Sequence, residues 1–296
     1  MPKLRCSLLL LSLLLACSRT VAPPPPTAAR RIVSLSPALT EVLFAVGCGD
    51  RIVLRDGWSD FPEAARAIPA VRGFAPNAEA ILAARPDLVL THFPPPALRT
   101  ALQGARVPWL SFAPPDLNGV AASIREVGKA CGQPAAAEKL AAAFQARLAE
   151  VVRRVAARPK PRVFYEMDAG DGGRPYTIGA KAFGHAVLAA AGGANVFAQA
   201  GESWFQVSAE SLLGADPDVI LLADADSMEQ PQSPASVAAR PGWAALRAVR
   251  DGHVFPLHAD WVSRPGPRLA SGVEQIARLL HPDAFVDLPP LTEARP

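Results

Sequence analysis

The chain has 296 residues, half of them hydrophobic, and a formal net charge of +3. That length exceeds the roughly 250 residues at which a single core stops growing, so two lobes are expected. The charge is small and the arginines are scattered, with no basic stripe interleaved with aromatics, which excludes nucleic acid as a partner.

Residues 1–17, MPKLRCSLLLLSLLLAC, place Lys3 and Arg5 before an apolar run from Leu8 to Leu15. The run is too short to span a bilayer and has the charge-then-apolar order of a secretory signal. Leu14-Leu15-Ala16-Cys17 resembles a bacterial lipobox, which implies lipid attachment at Cys17. The mature protein is then anchored to a membrane of the periplasm or cell envelope without spanning it; Ser18 favours the outer membrane. Residues 18–30 contain a run of prolines and read as an extended tether. Of four cysteines, Cys6 leaves with the signal and Cys17 carries lipid. Cys48 and Cys131 remain, a candidate disulfide in an oxidising compartment.

Residues 31–132 read as a first α/β lobe. RRIVSLSPALTEVLFAVG predicts a strand over 32–35 and a helix opened by Ser36-Pro37, with Glu41 in its first turn and Gly47 and Gly49 at its end. LVLTHF and VPWLSF in this half, and DVILLA and HVFPL in the next, have strand character and alternate with helical stretches, the signature of mostly parallel sheets. Residues 133–158 have no breaker after Pro134, and Leu140, Phe144, Leu148, Val151 and Val155 recur at helical spacing. One linking helix of about 35 Å is expected at ~1.5 Å per residue. Residues 159–282 form a second α/β lobe, with 283–296 as a tail.

The two halves repeat one another. Residues 77–90, NAEAILAARPDLVL, align without a gap with SAESLLGADPDVIL from 208, half the positions being identical. Two such lobes joined by one helix leave a cleft at the carboxyl ends of their strands, where open parallel sheets place ligands. Loops after the predicted strand ends carry Trp58, Phe74, His92 and Phe93, Tyr176, Trp204 and Trp261, although only 6% of the chain is aromatic. This lining suits a large, flat, amphipathic ligand. Trp109 and Trp243 fall inside predicted elements and are assigned to the core. His185, His253, His258 and His281 show no metal-ligand spacing, and no phosphate loop or nucleophile elbow is present, so catalysis is not expected.

In order along the chain, SLSPALTEVLFAVG, WSDFPEAARAIPAVRGFAPNAEAILAARPDLVL, SWFQVSAESLLGADPDVILL and DWVSRPGPR resemble the cobalamin-binding proteins of ABC importers. These belong to the helix-hinged (class III) periplasmic group that also binds haem and ferric siderophores. The resemblance runs from about Arg31 to Pro282. It implies two Rossmann-like lobes, no catalytic cofactor, and a monomer that captures a corrinoid and presents it to importer membrane subunits. It places Trp58, Phe74, His92, Phe93, Tyr176, Trp204 and Trp261 around the corrin, with Asp260 and Arg264 as polar groups nearby. It also implies that Glu79 and Glu210, at matching positions in the repeat, dock the importer. His92 stands where an indole is common, which leaves axial coordination of a metal open. The Asp260 and Arg264 pair also reads as an ion pair that stiffens its loop. Haem or a ferric siderophore, or a surface corrinoid lipoprotein without an importer, are the alternatives.

Overall fold

The computed structural model describes residues 28–71, 76–171, 173–227 and 230–291. Cys17, most of the proline-rich tether and Phe74 lie outside the described residues.

The first lobe contains β1 (Ile32–Leu35), α1 (Pro37–Ala45), β2 (Ile52–Asp56), β3 (Ala70–Val71), α2 (Ala78–Ala83), β4 (Leu88–Thr91), α3 (Pro96–Gly104), β5 (Trp109–Ser111) and α4 (Leu117–Ala130). Its sheet has the order β3-β2-β1-β4-β5 and every pairing is parallel. Crossover helices cover both faces, so the central strands carry apolar residues on both sides: Ile32, Val33, Leu88, Val89 and Leu90 are all buried.

After α5 (Pro134–Val155), the second lobe contains β6 (Arg162–Asp168), β7 (Tyr176–Ile178), α6 (Phe183–Ala190), β8 (Ala194–Asn195), β9 (Trp204–Gln206), α7 (Ala209–Ala215) and β10 (Val219–Leu222). It continues with α8 (Pro234–Ala238), α9 (Arg247–Arg250), β11 (Val254–Pro256), α10 (Ala259–Ser263) and α11 (Leu269–Leu280). The sheet order is β11-β10-β6-β7-β9, with β8 also on β6. β7 and β9 run antiparallel, and this departs from the first lobe.

The sequence repeat has a structural cause. Arg31 donates to the carbonyl oxygens of Arg85 and Ala84 at the end of α2, at 3.0 and 2.7 Å. Arg162 donates to those of Asp216 and Ala215 at the end of α7, at 3.3 and 2.6 Å. The backbone N–H of each arginine is taken by the aspartate of the Pro-Asp pair, Asp87 at 3.0 Å and Asp218 at 2.9 Å. Arg85 and Asp216 both adopt positive φ, 47° and 35°, and end their helices in the same left-handed turn. Each copy thus ties a helix end to the start of the central strand, with one residue type satisfying orphan carbonyls and another an orphan amide.

α5 belongs to both lobes. Phe144, Leu148, Val151 and Val155 on its buried face join an apolar cluster that runs from Ile32 and Leu90 through to Val163 and Leu221. Arg147 fixes it to α11, with Nε 2.8 Å from Glu274 Oε2 and Nη1 2.6 Å from Ser271 Oγ.

Two expectations are corrected. Glu41 lies beyond the first turn of α1 and is buried. Cys48 and Cys131 are free thiols rather than a disulfide, both buried. Each sulfur faces a backbone carbonyl at 3.6 Å, Cys48 that of Cys131 and Cys131 that of Gly128. Burial, reinforced by the neighbouring Cys48 thiol, pushes Cys131 up to about 12 and keeps it protonated.

Candidate functional site

The carboxyl ends of the two sheets face one another across a cavity of about 880 Å³. Arg55, Gly57, Trp58, Asp60 and Ala70 line it from the first lobe. Met167, Asp168, Asp224, Asp226, Asp260 and Arg264 line it from the second. A smaller, more apolar chamber of about 320 Å³ adjoins it, sharing Met167 and Ala223 and reaching Tyr165, Lys181, Phe183 and Trp204.

Trp58 is held by a buried polar network at the ends of β1 and β2. Asp56 Oδ1 accepts from the Trp58 backbone N–H at 2.8 Å, and its other oxygen accepts from the Ser59 hydroxyl. Ser59 Oγ lies 2.9 Å from Thr40 Oγ1, which lies 2.8 Å from Ser34 Oγ. The network fixes the loop and leaves the indole 43% exposed. On the opposite lobe the antiparallel β7 and β9 place Tyr176 against Trp204, with ring centroids 6.2 Å apart. Trp204 is 61% exposed and lines the smaller chamber.

The lobes are clasped where α1 meets the α10–α11 segment. Arg264 reaches Asp60 of the first lobe at 3.1 Å and Asp260 of its own lobe at 2.7 Å. Burial alone would raise the Asp60 carboxyl, but its hydrogen bond and ion pair with Arg264 hold it below the ordinary carboxylate range. Asp260 is raised by burial despite the same arginine. Deeper still, Arg268 Nη2 lies 2.5 Å from Glu41 Oε1, and its guanidinium sits 3.8 Å over the Phe61 ring. The ion-pair reading of Asp260 and Arg264 therefore has a geometric basis, and the same arginine bridges the cleft.

Other expected residues are placed differently. Trp261 is only 5% exposed, packed in α10 with the His258 ring parallel to it at 4.6 Å and its carbonyl pressed against Gly272 of α11. It lines neither cavity described above. His92 Nε2 lies 3.4 Å from Ser36 Oγ, and burial lowers the imidazole below its ordinary range, so the ring is neutral. Phe93 packs edge-on to His92 and is otherwise exposed. Glu79 and Glu210 are exposed in the first turns of α2 and α7, after N-caps Asn77 and Ser208. Among the described residues, no group of three or more His, Cys, Asp or Glu is arranged to hold a metal.

The acids at the strand ends went unread in the sequence. Asp168 is the last residue of β6 and Asp224 lies just past β10. Glu166 on β6 is fully buried and paired bidentately with Arg240 at 2.6 and 2.6 Å. Asp224, 5% exposed, lies beside that pair with no hydrogen-bond partner on either oxygen. Burial first, and the Glu166 charge second, raise it to about 7. A folded value above the unfolded one means that its contribution to stability is present below the ordinary aspartate range and lost as pH rises through about 7. Asp224→Asn is accordingly expected to melt above the native protein at pH 8, with the gap closing towards pH 4; thermal unfolding across that range checks it.

The chain matches the periplasmic binding protein family over residues 32–261. It is 30% identical over 260 residues to the vitamin B12-binding protein of Vibrio cholerae, covering 85% of this chain and 89% of that one. The crystal structure of the periplasmic vitamin B12 binding protein BtuF of Vibrio cholerae superposes with a TM-score of 0.75 at 29% identity, covering 88% of this chain and 100% of that one. A periplasmic heme binding protein from Pseudomonas aeruginosa superposes with a TM-score of 0.77 at 29% identity, covering 89% and 95%. With two α/β lobes joined through α5 and a cavity between them, the chain belongs to the periplasmic binding protein family in its helix-hinged form, as a non-catalytic carrier that hands a small molecule to an ABC importer in the periplasm or cell envelope.

Proposed function

We propose that the protein captures a corrinoid, cobalamin, in the inter-lobe cavity and delivers it to the importer, tethered through Cys17. The charge of the cavity carries this reading. Asp60, Asp168, Asp224, Asp226 and Asp260 outnumber Arg55 and Arg264 on its walls. Both arginines are already engaged: Arg55 donates to the carbonyl oxygens of Ala65 at 2.9 Å and Asp56 at 2.8 Å, and Arg264 is held by Asp60 and Asp260. A dianionic haem or an anionic ferric chelate needs free cations, and Lys181 is the one cation lining the smaller chamber among the described residues. Cyanocobalamin has no net charge and a rim of carboxamides, which hydrogen-bond to carboxyl groups without charge repulsion. Trp58 and Trp204, one per lobe, supply apolar faces for a flat ring.

Haem is the second reading, because His92, just past the carboxyl end of β4 although it lines neither cavity, is a neutral imidazole, the form that ligates iron. Phe74, Phe93, Tyr176 and Trp261 remain assigned to the ligand by resemblance, Trp261 from a buried position.

Calorimetric titration with cyanocobalamin decides the site. The native protein is expected to bind one equivalent, and Trp204→Ala to lose about tenfold or more in affinity, about 1.4 kcal/mol or above, while staying folded. Trp204 is the more informative variant because its exposure leaves little core packing to lose. Unchanged affinity in that variant contradicts the aromatic platform, and no binding by the native protein contradicts the corrinoid reading.

A further inference from the structure

Asp224 lies just past the end of β10, the strand beside the central β6, at the cavity wall, and the side chains around it leave it no partner. Glu166 on β6 is consumed by Arg240, and Arg240 also donates to Gln232 at 2.7 Å. Asp168, further along β6, accepts from the Gly170 backbone at 2.7 Å. On its own loop Asp226 faces His258 at 3.7 Å, and on α10 Asp260 is held by Arg264. Tyr165 on β6 is itself raised by burial and remains a protonated phenol. Both carboxyl oxygens of Asp224 are therefore shielded from water and unbonded in a residue that lines the cavity. A buried polar group without a partner lowers stability, so such a group is retained against a standing penalty. The side of the residue that remains open to a new partner is the cavity side.

We propose that Asp224 is a specificity-determining residue that turns into the cavity as a neutral carboxylic acid and shares its proton with a carboxamide oxygen on the rim of the bound corrinoid. The proposal rests on the corrinoid reading above. The acid is a donor only while protonated, and burial together with Glu166 keeps it so up to about pH 7. The negative field of Glu166, Asp168 and Asp226 makes a carboxylate on the ligand unwelcome at the same place, so the residue selects an amide over an acid. Ionisation removes the donor and places a charge against the amide oxygen, so affinity falls as pH rises. An asparagine side chain also donates to an amide oxygen but does not titrate.

The experiment is a cyanocobalamin titration of native protein, Asp224→Asn and Asp224→Leu between pH 6 and pH 8.5. Native affinity is expected to fall by about tenfold or more across that range. Asp224→Asn is expected to keep the native affinity of pH 6 at every pH, and Asp224→Leu to bind more weakly than Asn throughout. The Asn variant isolates Asp224, because every other group around the cavity is the same in it and in the native protein. A flat native profile, or the same slope in Asp224→Asn, overturns the role of Asp224 and leaves the corrinoid reading intact. Absence of binding by all three proteins at every pH overturns both.

Discussion

Arg268→Ala is expected to destabilise the protein by about 3–5 kcal/mol, the loss that follows when one member of a buried ion pair is removed. Glu41 and Arg268 are 1% and 5% exposed, on opposite lobes, and bonded at 2.5 Å. Truncation leaves the Glu41 carboxylate without a counter-charge and also strips the cation from the face of Phe61. Burial already raises the Glu41 carboxyl even with Arg268 present, and without the arginine it is raised further. A group raised on folding stabilises below its unfolded value and loses that contribution as pH rises, so the deficit of the variant is expected to shrink in acid. The double variant Glu41→Leu with Arg268→Met is expected to recover most of the loss, since apolar groups of similar size replace such pairs at little cost. Chemical denaturation at pH 5 and pH 8 measures both, and a loss in Arg268→Ala below about 1 kcal/mol would mean that the pair is solvated.

The second large effect concerns the importer and leaves ligand binding alone. Charge reversal at both Glu79 and Glu210 is expected to abolish ligand-stimulated ATP hydrolysis in a reconstituted importer while cyanocobalamin affinity stays at the native value. The two carboxylates are exposed in the first turns of α2 and α7, matching helices of the two lobes, and helix N-termini in such lobes lie at the cleft end of the sheet. If a two-fold membrane partner meets one carboxylate on each lobe, reversing both turns attraction into repulsion at two points. Each glutamate also complements its helix dipole by about 0.3–1 kcal/mol, a cost that thermal unfolding of the variant registers separately. Normal stimulation by the double variant would leave these residues only the role of complementing their helix dipoles.

Much of this arrangement is legible in the sequence because it rests on local rules. Proline at the start of α1 and α5, apolar spacing along α5, and the Pro-Asp repeat each specify a backbone event whose cause lies within a few residues. The repeat is visible as a pattern, but its partners Arg31 and Arg162 sit more than fifty residues from the helix-end carbonyls they bond. Trp58 and Trp204 do line the two cavities, Trp58 from a loop as expected and Trp204 from the start of β9 rather than from a loop. Trp261 is expected in the cleft by the same rule, yet the chain after β11 turns at once into α10, where the residue is buried with its ring stacked on His258 and lines neither cavity. The burial of Glu41 in α1, of Arg268 just before α11 and of Asp224 just past β10 is not legible locally, because each charge is covered only once the opposite lobe or a neighbouring strand is in place. The cysteines illustrate the converse, since an even pair in an exported chain suggests a bridge, whereas here each thiol finds a carbonyl instead.

The central claim is that this cavity takes a neutral, amide-rimmed macrocycle. Competitive titration at pH 6, with cyanocobalamin and hemin added in either order and followed by visible absorption, tests it most directly. The account predicts one equivalent of cyanocobalamin bound and retained against an equal concentration of hemin. Displacement of cyanocobalamin by hemin, with the spectral shift of imidazole ligation and its loss in His92→Ala, would contradict it.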